Sequence, residues 1–244
     1  MEERYVKTLC PTVVPAYNEE ENIEAMVEDV IQALDLLTDD YEVIVVDDSS
    51  RDSTAGMVKL LGQRHPQVRL VHHEVNQGYG AAVFSGLTSA SKELVFFTDS
   101  DRQFDLGEIE KLLEYIDKAD LVVGYRAPRR DTYIRKLNGL SWSLLVTLIL
   151  GYTARDIDCA FKLMRRTVID RLKDQVRSRG ATFSAEFLVR AKRAGFCIKE
   201  VPIRGHRPRV AGRPTGARLG VILRAFKELL LLRMSLWRED KNNK

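Results

Sequence analysis

Lysine and arginine are missing from Pro11 to Ser50, and the turn Val14–Pro15–Ala16–Tyr17–Asn18–Glu19–Glu20 is not glycine-rich. Both absences exclude a dinucleotide fingerprint and a phosphate loop. Those need glycines that let backbone N–H groups close on phosphate, and an acidic helix start would repel it. Cysteine is scarce. Cys10, Cys159 and Cys197 are odd in number and lack metal-ligand spacing, so all three read as small core residues of a protein in a reducing cytosol. The most apolar run, Leu144–Leu150, falls far short of the ~20 residues of a membrane-spanning helix. Met1–Lys7 is too short and polar to be a signal peptide. The expectation is a cytoplasmic chain, peripheral at most on the cytosolic face of a membrane.

What is present is a strong charge asymmetry. The stretch without bases is dense in acids, whereas from Lys162 to Arg224 the only acids are Asp170, Asp174, Glu186 and Glu200. Such a split suggests a partner that is anionic on one side: phosphate, anionic lipid or nucleic acid. Aromatics are only 8% of the chain and do not alternate with bases, so no nucleic-acid partner is expected.

Thr8–Val14, Tyr41–Val46, Val68–His72, Leu94–Thr98 and Ala119–Gly124 read as buried strands. Glu19–Leu37, Asp52–Arg64, Gly78–Ala90 and Leu106–Asp117 between them read as helices. Pro15 is expected to stop the first strand and Asn18 to cap the first helix. This alternation argues an α/β protein with a mostly parallel central sheet, helices on both faces, and ligands beyond the C-terminal strand ends. After Gly124 come a charged loop at Arg126–Asp131, a helix at Tyr133–Leu150, a strand at Ala160–Met164, a helix at Phe183–Ala194 and a strand at Cys197–Ile203. A basic loop at His206–Gly216 precedes a C-terminal amphipathic helix at Leu219–Trp237, and Glu239–Lys244 should fray.

Two buried strands end in paired carboxylates, Asp47–Asp48 and Asp99–Ser100–Asp101. Unpaired, four such groups along one sheet edge repel and take up protons. A divalent cation, Mg²⁺ or Mn²⁺, resolves that cost, and Mg²⁺ typically takes one or two carboxylates together with substrate phosphates. Asp101 and Gln103 can supply oxygen ligands and leave positions open for a diphosphate. Tyr17 offers a flat face to a base. His72 and His73 have no obvious partner, and His206 reads as a polar loop residue. Trp142 and Trp237 lie on apolar helix faces suited to packing or to a membrane surface.

Four ordered segments carry a resemblance: Val13–Glu20, Val45–Val46–Asp47–Asp48–Ser49–Ser50, Asn76–Gln77–Gly78–Tyr79–Gly80–Ala81–Ala82 and Thr98–Asp99–Ser100–Asp101–Arg102–Gln103–Phe104. Together they resemble glycosyltransferase family 2, and their order is similar to that of the polyprenyl-phosphate sugar transferases, dolichyl-phosphate mannose synthase among them. The resemblance spans about residues 8 to 235. It implies the type A glycosyltransferase fold, with a catalytic domain over 1–215 (a nucleotide-sugar half to about 125 and an acceptor half from 126) and a C-terminal helix and tail over 216–244. It also implies a metal-dependent, inverting transfer of a hexose from UDP-glucose or GDP-mannose to a polyprenyl phosphate.

By position, Pro15, Tyr17, Asn18 and Glu19 fall where the family contacts the nucleotide, with Gln77 and Gly78 beside them. Asp47 or Asp48 falls where an aspartate meets the base. Asp99, Ser100 and Asp101 match the acid–any–acid motif, and Asp101 with Gln103 the metal ligands. Arg126 and Arg135 are candidates for the acceptor phosphate. Arg209 matches an arginine that closes over the diphosphate. Asp156–Lys162 resembles an acceptor-side segment, and Asp158 and Glu186 are the candidate bases should the acceptor be a hydroxyl. Where dolichyl-phosphate mannose synthases usually carry Gly–Glu–Ser–Lys, this sequence has Gly212–Arg213–Pro214–Thr215, which leaves the donor open. The Leu219–Trp237 helix suits a membrane surface, a homodimer contact or intramolecular packing. Two rivals are set aside. A nucleotidyltransferase needs a glycine-rich basic first loop, and a purely binding module does not need the acidic motif.

Overall fold

A computed structural model describes residues 11–128, 133–151, 153–207 and 219–242. In chain order the elements are β1 (Pro11–Ala16), α1 (Ile23–Asp35), β2 (Glu42–Asp47), α2 (Thr54–Arg64), β3 (Val68–His72), α3 (Tyr79–Ser89) and β4 (Leu94–Thr98). A single 3₁₀ turn at Leu106–Glu108 leads into α4 (Ile109–Ile116) and β5 (Leu121–Arg126). Then follow α5 (Tyr133–Leu150), β6 (Phe161–Arg165), α6 (Arg166–Leu172), α7 (Phe183–Arg193), β7 (Ile198–Ile203) and α8 (Leu219–Asn242).

The strands form one sheet in the order β3-β2-β1-β4-β6-β5-β7. It is mostly parallel, as expected, but β6 runs antiparallel between β4 and β5. Alternation along each strand divides the core. Val14, Val43, Val45, Phe96 and Val122 face α1, α2 and α4, while Val13, Ile44, Val46, Phe97 and Val123 face α3, α6 and α7. Each fully buried side chain of this size contributes about 1.5–3 kcal/mol. Two covered faces of one sheet are the layered architecture of the type A fold.

Chain order reverses at β1. Six residue pairs join β1 to β2, but only Thr12↔Phe96 and Val13↔Phe97 join it to β4. The end of that second ladder is the switch point of the sheet, beyond which open α/β sheets have their ligand-binding crevice. Pro15 does not stop the strand, as β1 continues through Ala16. The strand tolerates it because the β4 side of the ladder has already ended, so a missing N–H costs little there.

Several elements differ from the sequence reading, most of them by a residue or two at an end. The first helix starts at Ile23, because residues 18–22 are held by another turn. Arg126 closes β5 and is not yet in a loop. The short α6 was not anticipated. The C-terminal helix runs on through Asn242, pinned where Glu239 receives Arg190 and Asp240 receives Arg193. It buries Ala225, Leu229, Leu232 and Leu236 and leaves Phe226, Leu230, Leu231, Met234 and Trp237 exposed. On neighbouring α5, Leu140, Leu144 and Leu148 are exposed at one-turn spacing. No helix among the described residues is long and apolar enough to cross a membrane. Cys159 is buried, but Cys197 is exposed at the start of β7 and is not a core residue.

Candidate active site

Three turns at the crevice hold a non-glycine residue in the left-handed region: Asn18 (φ 54°), Ser49 (φ 62°) and Arg102 (φ 56°), following β1, β2 and β4. Such a conformation persists where surrounding bonds over-determine it. Here the bonds run between turns. The Asn18 N–H donates to Ser50 Oγ at 2.9 Å, and Asn18 Oδ1 accepts the Arg51 N–H at 2.8 Å. The Glu19 N–H donates to Thr54 Oγ1, and the Glu19 side chain accepts from Asn22 Nδ2 at 2.6 Å. Asn18 therefore ties the first two turns together and does not cap α1. Pro15 lies beneath this turn within β1, and Tyr17 stands at the rim, 38% exposed.

Asp47 and Asp48 are both buried and face inward. Asp47 Oδ2 bonds His72 Nδ1 at 2.9 Å and accepts the Ser50 N–H. Asp48 accepts the Gln77 N–H on Oδ1 and the Gly78 N–H on Oδ2, each at 2.8 Å. His73 sits between Asp48 Oδ1 at 2.7 Å and Ser85 Oγ at 2.9 Å. Both histidines thus have partners, contrary to the sequence reading. In this conformation Asp48 holds the Gln77–Gly78 loop and is not open to a base. Strand-end carboxylates capture whatever backbone N–H groups the next loop presents.

The second acidic motif faces the crevice. Tyr79 keeps 40% of its surface exposed, and its hydroxyl donates to Asp99 Oδ1 at 2.9 Å. Burial first, then the charge of Asp101, pushes the Asp99 pKa up to about 7, while Tyr79, Lys162 and Arg126 oppose the rise. Asp101 accepts the Gln103 N–H at 3.3 Å, and Ser100 is buried between the two acids. Across the crevice, Arg126 makes two 2.7 Å bonds to Asp156, a bidentate pair of the strong type. Lys162, 3% exposed on β6, donates to the carbonyls of Ile157 and Cys159 and lies 5.7 Å from the Phe97 ring centre. Burial lowers its pKa, against the pull of Asp158, Asp156 and Asp99. Asp158 opens to the crevice on one side. Desolvation by the walls on its others pushes it up to about 6, and Lys162, Arg126 and a hydrogen bond with Trp142 resist. Trp142 thereby has a polar role besides packing against the core.

Other expected residues lie elsewhere. Glu186 is 1% exposed and committed to three donors: the N–H groups of Arg177 and Ser178, and Arg190 Nε at 2.7 Å. That set makes it a brace for the turn before α7. Gln103 Nε2 donates to the Arg207 carbonyl, and the Gln103 carbonyl accepts the Arg207 N–H, so this residue anchors the chain where the basic loop begins. His206 is buried, its ring centre 5.5 Å from that of Phe104, and is not a surface residue. Arg209 lies outside the described residues, as does the side chain of Arg135. Sequence reasoning placed Tyr79 in the third family-like segment and Asp156 and Lys162 at the ends of the acceptor-side segment, but gave none of the three a role of its own. For Lys162 the further signal was its place inside an apolar strand, four residues after Asp158.

Asp99 and Asp101 present oxygen ligands only, and their shared negative charge raises Asp99. Among the described residues no group of three or more His, Cys, Asp or Glu forms a cage. The oxygen-only pair suits a hard divalent cation that completes its shell with phosphate oxygens. The sign of the pH effect follows. The Asp99 pKa is raised on folding, so its contribution to stability is fully present below its unfolded value and is lost as pH rises through about 7. A cation offsets the ionised pair. The rise in melting temperature on adding Mn²⁺ with UDP is therefore expected to be larger at pH 8 than at pH 6. Equal rises at the two pH values in thermal-shift measurements would place the cation away from Asp99.

The family model described as Glycosyl transferase family 2 matches residues 12–173. A dolichyl-phosphate beta-glucosyltransferase of Trichomonas vaginalis is 33% identical over 208 residues, covering 78% of this chain and 62% of that protein. A dodecaprenyl-phosphate galacturonate synthase of Rhizobium johnstonii is 32% identical over 165 residues, covering 66% of this chain and 49% of that one. The chain thus spans less than two thirds of the length of these relatives. Among solved structures, glucosyl-3-phosphoglycerate synthase from Mycobacterium tuberculosis, in complex with Mn²⁺, UDP and glucosyl-3-phosphoglycerate, superposes with a TM-score of 0.71 at 23% identity. That match covers 95% of this chain and 82% of that one, a likeness of fold.

Proposed function

Because this chain belongs to glycosyl transferase family 2, we propose that it moves a hexose from a nucleotide-sugar, UDP-glucose or GDP-mannose, to a polyprenyl phosphate with inversion. The observation that carries the reading is the Asp99–Asp101 pair at the switch point of the sheet, faced by Arg126 and Lys162. Asp99 and Asp101 would hold a divalent cation, which when bound supplies positive charge for the leaving diphosphate. Tyr79 orients Asp99 through its hydroxyl. Asp156 fixes the Arg126 guanidinium, and Lys162 holds the 157–159 backbone that carries Asp158. A phosphate acceptor is already ionised near neutral pH, so its attacking oxygen needs no base. Arg126, its guanidinium oriented by Asp156, is placed to meet that phosphate.

The names of the relatives support a lipid-phosphate acceptor, and so does the surface. The exposed leucines of α5 and the exposed Phe226, Leu230, Met234 and Trp237 of α8 lie among Arg224, Lys227, Arg233 and Arg238, the composition of a face that rests on anionic lipid. The test is nucleoside diphosphate release from a panel of UDP- and GDP-sugars with Mg²⁺ or Mn²⁺ and a short polyprenyl phosphate. Release that requires both metal and lipid phosphate is expected, and the donor that works identifies the sugar. Release indifferent to the lipid overturns this acceptor and turns attention to hydroxyl acceptors, with Asp158 as the base.

A further inference from the structure

The C-terminal helix is joined to the donor side of the crevice by a continuous set of short contacts. Glu228 on α8 accepts the Thr182 hydroxyl at 2.6 Å. Thr182 is fully buried at the N-terminus of α7, yet its side chain makes no capping bond there, so its hydroxyl serves Glu228. The Glu228 carboxylate also closes on Gly180, where a Cβ would lie 3.2 Å and 3.3 Å from its two oxygens. The 179–182 turn in its turn sits under the start of α3. The Arg179 carbonyl accepts the Ala81 N–H at 3.1 Å. A Cβ on Gly78 would lie 2.7 Å from the Arg179 carbonyl oxygen, and one on Gly80 would lie 2.8 Å from that of Gly180 and 2.6 Å from the Phe183 Cβ. Gly78, at φ 98°, is both sterically and conformationally required at this contact. Its N–H donates to Asp48, and the next residue, Tyr79, donates to Asp99.

The geometry points to Glu228 and Thr182 as positioning residues. They seat the 179–182 turn, the turn seats Gln77–Ala81, and that loop fixes the Tyr79 hydroxyl against Asp99. The C-terminal helix is therefore a prop of the donor site as well as packing for the fold. The link to donor affinity rests on the reading above that Asp99 and Asp101 meet the donor diphosphate; the link to loop order does not. A carboxylate accepting a buried hydroxyl is a charge-assisted bond, and no other described contact joins α8 to this turn as directly.

Three variants of the full chain test it: Thr182→Val, Glu228→Leu and Glu228→Gln. Thr182→Val keeps shape and removes only the donor, so it stays informative if Glu228→Leu folds poorly. Deuterium exchange is read on peptides covering residues 74–82, with a peptide over β2 as control. Binding of UDP and of GDP, each with Mn²⁺, is read by calorimetry. The first two variants are expected to speed exchange in 74–82 roughly tenfold with the control unchanged, and to weaken the nucleotide that binds by roughly tenfold. Glu228→Gln still accepts the hydroxyl and should restore both. Wild-type exchange over 74–82 in Thr182→Val and Glu228→Leu overturns the prop. Faster exchange with unaltered nucleotide binding leaves the prop standing and overturns the placement of the donor at this loop.

Discussion

Replacing Asp101 with asparagine is expected to lower kcat for nucleoside diphosphate release by about 10³-fold, the scale seen when a preorganised electrostatic partner of a developing charge is removed. The substitution keeps the size of the side chain and its ability to accept the Gln103 N–H. It removes one of two negative charges that would hold the cation. A second consequence separates this from simple damage. The charge of Asp101 is a cause of the raised Asp99 pKa, so in Asp101→Asn that pKa should fall from about 7 toward the ordinary carboxylate range. Burial of Asp99 remains, so the fall is partial. Metal-dependent stabilisation in the variant should be weaker at every pH, and its pH dependence should move to lower pH. Activity within about tenfold of wild type would put the cation on other ligands.

The other large effect is structural. Glu186→Ala removes a buried carboxylate that accepts the N–H groups of Arg177 and Ser178 and the Nε of Arg190. Arg190 is 4% exposed and keeps only its bonds to Glu239. Arg190 stays compensated by Glu239, so the main cost is the Arg177 and Ser178 N–H groups left without their acceptor, about 1–3 kcal/mol each where they are buried. For a chain of this length that is a drop on the order of 10 °C in melting temperature. Were Glu186 also the general base of the reaction, kcat measured well below the melting transition, on fully folded variant, would fall by orders of magnitude as well. Thermal denaturation beside a steady-state assay distinguishes the two.

Much of the fold was legible because the strands are continuous apolar runs and the helices keep their spacing. Leu94–Thr98 and Tyr133–Leu150 were read to the residue. The errors have common physical causes. Asn18 looked like a cap because asparagine caps helices, but a partner 33 residues away in sequence, the Arg51 N–H, took its side chain. Asp47 or Asp48 was matched to an aspartate that meets a base, and the fold brings the Gln77–Gly78 loop back onto Asp48. His72 and His73 looked partnerless, but the fold sets them against Asp47 and Asp48, each 25 residues away in sequence. In each of these cases a polar side chain was satisfied by a backbone or side-chain group that is distant in sequence and close only in the fold.

Residue order by itself determined the alternating α/β architecture, the acidic pair at the end of β4, and the family to which those motifs belong. Periodicity and short motifs are local properties, and burial of an apolar strand beside its helices leaves little choice of layer. Tertiary structure alone decided which carboxylates face the crevice and which serve as braces. It also decided that β6 enters antiparallel and carries Lys162 toward Asp99 and Asp158, and that the C-terminal helix reaches the donor loop through Glu228 and Thr182. Those outcomes depend on which N–H, hydroxyl or charge comes within hydrogen-bonding distance once the chain has closed, and no local pattern encodes that distance.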